Sequence, residues 1–106
     1  MVTMNDIKDF AQGIGREFHP ERVILFGSHV RGNVTDDSDV DLLVILAFEG
    51  KSVDQSVQMR MKLRPAFAVD LVVRTPETVR NRLAIGDDFM REIIEEGKVL
   101  YQADCR

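Results

Sequence analysis

The sequence predicts an α/β (α+β) protein with a small mixed β-sheet and helices packed mainly on one face. Two observations support this fold class. Short apolar runs, bounded by glycine or polar residues, have the length of buried strands, and they alternate with longer segments whose apolar residues recur at helical spacing. The chain has 106 residues, 44% of them apolar, which fits one domain, 1–106, with a core of ordinary size.

The first half of the chain predicts one long helix and two strands. Apolar residues at helical spacing predict an amphipathic helix over about residues 3–18. Thr3 or Asn5 has the residue type of its cap, and Pro20 limits its far end. Downstream, the predicted elements are a strand, a brief helical turn, a loop and a second strand, at residues 22–27, 28–32, 33–37 and 38–46.

The second half predicts further helices and two more strands. Val53, Val57 and Met61 lie at positions i, i+4 and i+8 and predict one face of a helix that ends before a proline. Thr75 and Pro76 are typical of a helix cap and a first helical position. The other predicted elements are a strand, one broken or two short helices, and a short final strand, at residues 67–73, 76–96 and 98–101.

Composition excludes several classes of function. No apolar run approaches the roughly 20 residues of a membrane span, and no signal-peptide pattern opens the chain. The net charge of −4 argues against direct binding to nucleic acid or to an anionic membrane, since both favour a basic surface. Cys105 is the only cysteine, so no internal disulfide can form, and we expect a cytoplasmic protein.

Two carboxylates, Asp39 and Asp41, stand one residue apart in a run that otherwise looks like a buried strand. Alternation along a strand puts both on one face, with Cα atoms roughly 6.5 Å apart. Like charges near a core are costly unless a cation or a proton neutralises them. Asp70 interrupts the next apolar run in the same setting, and it joins the pair if the two strands are neighbours. Three convergent carboxylates would form an all-oxygen site for Mg²⁺ or Mn²⁺.

A glycine-serine turn precedes the acidic pair and is a candidate phosphate site. Backbone N–H groups at Gly27 and Ser28, together with the serine hydroxyl, could hold phosphate oxygens. Gly32 would let the backbone turn tightly, and Arg31 could contact a phosphate or brace the loop. Metal ions at the carboxylates could then activate a hydroxyl and hold a leaving pyrophosphate.

The turn and the acidic pair form one motif, which reads Gly27-Ser28-x-x-Arg31-Gly32 and then Ser38-Asp39-x-Asp41-Leu42. This motif resembles the signature of the minimal nucleotidyltransferases, which belong to the DNA polymerase β-like superfamily. The resemblance covers the whole chain in element order and is tightest over residues 23–44. Val30 departs mildly from the alanine that is commoner at its position, and we expect little consequence.

The resemblance implies Mg²⁺-dependent transfer of AMP from ATP to a protein hydroxyl. It implies nucleotide binding by Gly27, Ser28, Arg31 and Gly32, and metal binding and catalysis by Asp39, Asp41 and Asp70. The third carboxylate would also help to deprotonate the attacking hydroxyl. Small members of this family are often encoded beside a HEPN-domain toxin, which implies an antitoxin that adenylylates a tyrosine of that toxin.

Two other functions stay open on the sequence alone. The chain could be an antitoxin that acts mainly by binding its partner, or a pseudoenzyme that binds a nucleotide without turnover. A homodimer is also compatible, because residues 98–101 could form an edge strand that a second chain covers. We expect His29 to be exposed beside the phosphate turn. Arg74 directly follows a strand and is a candidate for contact with the substrate.

Three similar motifs are excluded. A calcium loop that starts at Asp37 would need glycine and glutamate where Leu42 and Phe48 stand. A P-loop would need lysine and serine or threonine where Asn33 and Val34 stand. Glycosyltransferases that use an Asp-x-Asp pair usually need a larger α/β domain than 106 residues allow.

Overall fold

Helices and strands alternate along the chain in the predicted order. A computed structural model describes residues 2–32, 34–35 and 38–103. Its elements are α1 (Met4–Phe18), β1 (Arg22–Phe26), α2 (Ser28–Arg31), β2 (Val40–Ile45), α3 (Ser52–Leu63), β3 (Val69–Arg74), α4 (Pro76–Ala84), α5 (Asp88–Glu96) and β4 (Lys98–Gln102). The predicted α/β class is confirmed. Of the predicted loop 33–37, residues 33, 36 and 37 lie outside the described residues.

The four described strands form one mixed sheet in the order β3-β2-β1-β4. β1 is antiparallel to both β2 and β4, whereas β2 and β3 are parallel. The parallel pair is joined by α3, the kind of crossover that parallel neighbours need. β4 lies at one edge of the described sheet, as predicted for residues 98–101, and its coverage by a second chain stays a prediction.

Helices cover both faces of the sheet, and the two faces are unequal. The larger core cluster lies between the sheet and α1 with α3, and includes Ile7, Ile14 and Met59. The smaller cluster lies on the opposite face, where Met90 and Ile93 of α5 pack with strand residues. The prediction of helices mainly on one face is therefore corrected: α1 and α3 pack on one face, and α4 and α5 give the other face a core of its own.

Local capping fixes where two of the helices begin. Thr3 caps α1 in a reciprocal capping box, in which the Asp6 backbone N–H donates to Thr3 Oγ1 at 3.1 Å and the Thr3 N–H donates to Asp6 Oδ2 at 2.9 Å. Thr75 caps α4 by accepting from the Thr78 N–H at 3.1 Å. Among the described helices, none has the length and continuous apolar sequence that a bilayer crossing requires.

The predicted apolar face of α3 points to solvent. Val53, Val57 and Met61 are 59%, 47% and 70% exposed. Met59, on another side of the helix, is fully buried in the larger core. The helical spacing is thus confirmed, but α3 has apolar residues on two sides, and its packing against the sheet uses the side of Met59.

Candidate functional site

Three carboxylates lie at the end of the sheet where β2 and β3 begin. The parallel register sets Asp41 directly opposite Asp70, on strands about 4.8 Å apart. Asp39 comes one residue before β2, and its charge acts on the carboxyl group of Asp41. Asp41 is half-buried, whereas Asp39 and Asp70 are exposed. The sequence predicted that Asp70 joins the pair only if the second and third strands are neighbours. They are neighbours.

These charges act on one another. Burial raises the pKa of Asp41 above its ordinary value, and the negative charges of Asp70 and then Asp39 raise this pKa further. His29 acts on the pKa of Asp41 in the opposite direction. The ionised form of Asp41 is therefore held at a cost that a nearby cation would offset.

The glycine-serine turn touches the acidic group. Gly27 follows β1, whose last residue, Phe26, pairs with Asp41. The φ of Gly27 is +80°, and a Cβ at this position would overlap Asp41 Oδ2. Glycine is thus needed here both for the backbone conformation and for the close approach of the carboxylate. Ser28 begins α2, and Gly32 ends it in the left-handed conformation with its N–H donating to the Ser28 carbonyl at 3.0 Å.

His29 differs from its predicted exposure. The side chain is half-buried, and its Nε2 atom is buried without a hydrogen-bond partner among the described residues. A buried polar atom without a hydrogen-bond partner costs folding free energy, and a bound water or ligand can supply the missing partner. The prediction of an exposed imidazole was wrong because α2 lies against the sheet and not out in solvent.

Arg31 braces the turn against a helix that is distant in sequence. Its guanidinium donates to Glu92 of α5, forming an ion pair in which both side chains are partly exposed. The sequence left open whether Arg31 contacts a phosphate or braces the loop, and the ion pair with Glu92 is such a brace. Glu92 was not predicted as a site residue, since no local motif marks it.

A cleft of about 330 Å³ opens beside the turn, between α2 and α5. Its lining residues are Phe26, Gly27, Val30, Arg31, Phe89, Glu92, Ile93, Glu96 and Gly97. The α5 side of this cleft was also missed by sequence reasoning, because it depends on how α5 packs over β1. Gly27 belongs both to the cleft and to the contact with Asp41, so the cleft and the acidic group are adjacent.

Arg74 lies away from the acidic group. It ends β3, four residues after Asp70, which is about 13 Å along a strand. Its Nη1 donates to the Val73 carbonyl at 2.8 Å and to Ser52 Oγ at 3.3 Å, which ties β3 to the start of α3. The predicted reach of Arg74 toward a substrate at the carboxylates is therefore not supported by its position.

The carboxylates have the donor chemistry of a site for a hard divalent cation. Carboxylate oxygens are the protein ligands that Mg²⁺ and Mn²⁺ prefer. Within residues 2–32, 34–35 and 38–103, no three Asp, Glu, His or Cys side chains form a preorganised metal-coordination site. The fit therefore rests on the donor type, on the pairing of Asp41 with Asp70, and on the burial and neighbouring negative charges that raise the pKa of Asp41.

A mixed β-sheet that places a glycine-serine turn against strand carboxylates is suited to bind and activate a nucleoside triphosphate. The chain belongs to the family described as Polymerase beta, Nucleotidyltransferase, whose model matches residues 5–106. This membership confirms the resemblance found in the sequence. It also establishes the chain as a member of a family of transferases.

Known proteins agree with this assignment. The chain is 28% identical over 99 residues to the "Putative protein adenylyltransferase MJ0604" of Methanocaldococcus jannaschii, an alignment that covers 90% of this chain and 94% of that protein. A "putative nucleotidyltransferase" from Sulfolobus solfataricus shares the fold, with a TM-score of 0.63, 21% identity and coverage of 92% and 78% of the two chains.

Two toxin–antitoxin structures also share this fold. One is a toxin–antitoxin complex with AMP-PNP, with a TM-score of 0.57 and 20% identity over 92% of this chain and 74% of that one. The other is a mutant of the toxin–antitoxin pair MntA-HpeT, with a TM-score of 0.53 and 17% identity over 97% and 75%. At these identities the three solved structures show only that the fold is shared.

Proposed function

We propose that this protein transfers AMP from ATP to a hydroxyl group of a partner protein, in a reaction that needs Mg²⁺. One observation supports the site most directly: the parallel register of β2 and β3 sets Asp41 beside Asp70, and the charge of Asp39 also acts on Asp41. Membership of the nucleotidyltransferase family supports the reaction class, and the name of the Methanocaldococcus relative supports a protein acceptor.

In this proposal, Asp39, Asp41 and Asp70 hold the metal. Bound there, Mg²⁺ would neutralise charge on the phosphates and on the leaving pyrophosphate. Ser28 and the backbone at Gly27 hold phosphate oxygens, and Arg31 is placed to join them once it leaves Glu92.

The chemistry is an in-line substitution at the α-phosphorus. The acceptor oxygen forms a bond to the α-phosphorus while the bond from that phosphorus to the α–β bridging oxygen breaks. Pyrophosphate leaves with the bridging oxygen, and the proton of the acceptor hydroxyl passes to Asp70. Asp70 is exposed, so a hydroxyl presented by another protein can reach it.

We further propose that the acceptor is a tyrosine of a HEPN-domain toxin and that the chain acts as its antitoxin in the cytoplasm. Two structural neighbours come from toxin–antitoxin pairs, and one of those structures contains a nucleotide analogue, which supports a toxin as the partner and ATP as the substrate. The choice of a HEPN-domain toxin and of a tyrosine rests on the resemblance found in the sequence. The neighbouring gene tests the partner directly, since we expect an adjacent open reading frame to encode a helical protein.

Transfer of label from ATP tests the reaction. The full chain, Mg²⁺ and the co-purifying partner are incubated with ATP that carries ³²P in either the α or the γ position. We expect the partner to be labelled from α-labelled ATP only, because AMP is transferred and pyrophosphate leaves. The Asp39→Asn/Asp41→Asn double variant should transfer nothing, whereas Asp9→Asn, which removes an exposed carboxylate on α1, should transfer normally. Equal labelling by the double variant and the wild type would refute the proposal.

A second candidate function is neutralisation of the toxin by binding alone. The apolar stripe on α3, formed by Val53, Val57 and Met61, favours it because such a surface is suited to a protein partner. The same double variant separates the two functions. If the double variant still neutralises the toxin, binding alone is sufficient. If it no longer neutralises the toxin although it still forms the complex with it, AMP transfer is required. Binding of ATP without any transfer would indicate a pseudoenzyme.

Replacing Glu92 with glutamine is expected to tighten MgATP binding several-fold. The change removes the carboxylate that competes with phosphate for the Arg31 guanidinium, and it removes one negative charge beside the turn. Little change in the melting temperature is expected, because exposed ion pairs contribute only about 0–1 kcal/mol. Isothermal titration calorimetry measures the affinity. Glu95→Gln, the same charge change on an exposed part of α5, serves as the control. Equal affinities for the two variants would show that the Arg31–Glu92 pair does not oppose nucleotide binding.

A further inference from the structure

We propose that the cleft between α2 and α5 is an aromatic subsite for the base of the nucleotide and that it favours adenine over uracil. This inference rests on the proposed function, since it assigns a place to the base of the ATP whose phosphates lie at the glycine-serine turn. It assigns to Phe89 of α5 the role of the stacking residue.

The aromatic rings of the cleft support this assignment. Phe26 and Phe89 meet edge to face, with ring centroids 5.7 Å apart and planes at 84°. Phe89 is nevertheless 54% exposed, although phenylalanine has no polar atom to interact with water. A flat heterocycle against the free area of this ring would remove apolar surface from water and would stack on the aromatic face.

The position and size of the cleft suit the base of a nucleotide bound at the turn. Gly27 lines the cleft and also contacts Asp41, so a ligand with its phosphates at the turn has this concavity immediately beside it. A volume of about 330 Å³ lies at the small end of the range for ligand pockets, which suits a base better than a larger molecule.

Polar groups at the cleft rim suggest which edge of the base is read. Glu96 lines the cleft, is exposed, and forms no ion pair within the described part of the chain. An ionised carboxylate only accepts hydrogen bonds, so it favours a base edge that carries an amino group. Adenine presents such a group, whereas the carbonyl oxygens of uracil would face the carboxylate unfavourably.

Calorimetric titration of the full chain with three Mg²⁺-bound ligands tests the subsite: ATP, UTP and tripolyphosphate, which has no base. Wild type is expected to bind ATP more tightly than UTP. Phe89→Ala should weaken ATP binding about tenfold, the typical effect of losing one base–aromatic stack. The same variant should bind tripolyphosphate as wild type does. Phe89→Leu, which keeps apolar bulk, should fall between wild type and Phe89→Ala.

Ile85→Ala is the matched control. Ile85 is 76% exposed, follows α4 and lies outside the cleft lining, so its truncation should leave the affinity for ATP unchanged. Unchanged ATP affinity in Phe89→Ala, or equal weakening for ATP and tripolyphosphate, would overturn the subsite while the proposed function stands. Failure of the wild type to bind either ATP or tripolyphosphate would instead overturn the proposed function, and the subsite with it.

Discussion

Replacing Asp41 with asparagine is expected to lower AMP transfer by about a thousandfold while making the metal-free chain more stable. The loss of transfer follows because the amide removes the negative charge of a proposed metal ligand at the centre of the acidic group. The gain in stability follows because the Asp41 carboxylate is held in an unfavourable setting, partly buried and next to Asp70 and Asp39. Label transfer measures the first effect, and thermal unfolding in a chelating buffer measures the second.

The stability effect of Asp41 has a defined pH dependence. The pKa of Asp41 in the folded chain is raised above its ordinary value of 3.8, so the folded chain holds this proton more tightly than the unfolded chain does. Folding stability is therefore lost as the pH rises through the folded pKa, and the loss is complete above it. We expect the wild type and Asp41→Asn to be similar in stability below about pH 3.8 and to diverge as the pH rises toward neutrality.

Asp9→Asn on α1 is the control, since it makes the same chemical change on an exposed surface. Mg²⁺ is expected to raise the melting temperature of the wild type and of the control, but much less that of Asp41→Asn. A less stable Asp41→Asn variant at neutral pH, or one that keeps transfer, would contradict this account of the acidic group.

Replacing Gly27 with alanine is expected to damage both the fold and the reaction. Gly27 has φ +80° and ψ −147°, a region that is essentially restricted to glycine and that costs other residues about 1–3 kcal/mol. The added Cβ would also overlap Asp41 Oδ2, so the turn and the carboxylate must move apart. We expect a fall in melting temperature of about 4–8 °C for each kcal/mol lost. We also expect AMP transfer to fall by about a hundredfold, because phosphate and metal positions would no longer match.

Gly86→Ala separates backbone strain from damage to the site. Gly86 has the same φ of +80°, but a Cβ there meets nothing within 4 Å, and the residue lies in the connection between α4 and α5. It should lose stability through strain alone and keep full transfer. If Gly27→Ala lost no more transfer than Gly86→Ala does, the contact between the turn and Asp41 would have no part in the reaction.

Features set by residues close in sequence could be predicted. The caps at Thr3 and Thr75, the first helical position of Pro76 and the end of α5 at Gly97 follow from hydrogen bonds and φ preferences within a few residues. The apolar runs gave all four strands, with boundaries that moved by one or two residues. The spacing of the glycine-serine turn and the acidic pair was sufficient to indicate the family, because both parts lie in one continuous stretch.

Features set by tertiary packing could not be predicted. Arg31 and Glu92 are 61 positions apart, and they meet only because Ile93 brings α5 against the strand residue Ile24. The cleft and the exposed ring of Phe89 depend on the same packing. The choice of Met59 over Met61 as the buried residue of α3 depends on the angle at which that helix meets β3, and helical spacing gives no information about this angle.

The parallel pairing of β2 and β3 makes the alignment of Asp41 with Asp70 sensitive to a register shift within either strand but tolerant of insertions in the loops. Asp70 lies on an edge strand whose only described neighbour is β2. Deleting one residue from β3 would send its carboxylate to the opposite side of the sheet, toward the larger core, because side chains alternate at every position. Lengthening the connections around α3 would leave that alignment intact. Those loops can therefore vary in length while Asp41 and Asp70 stay side by side.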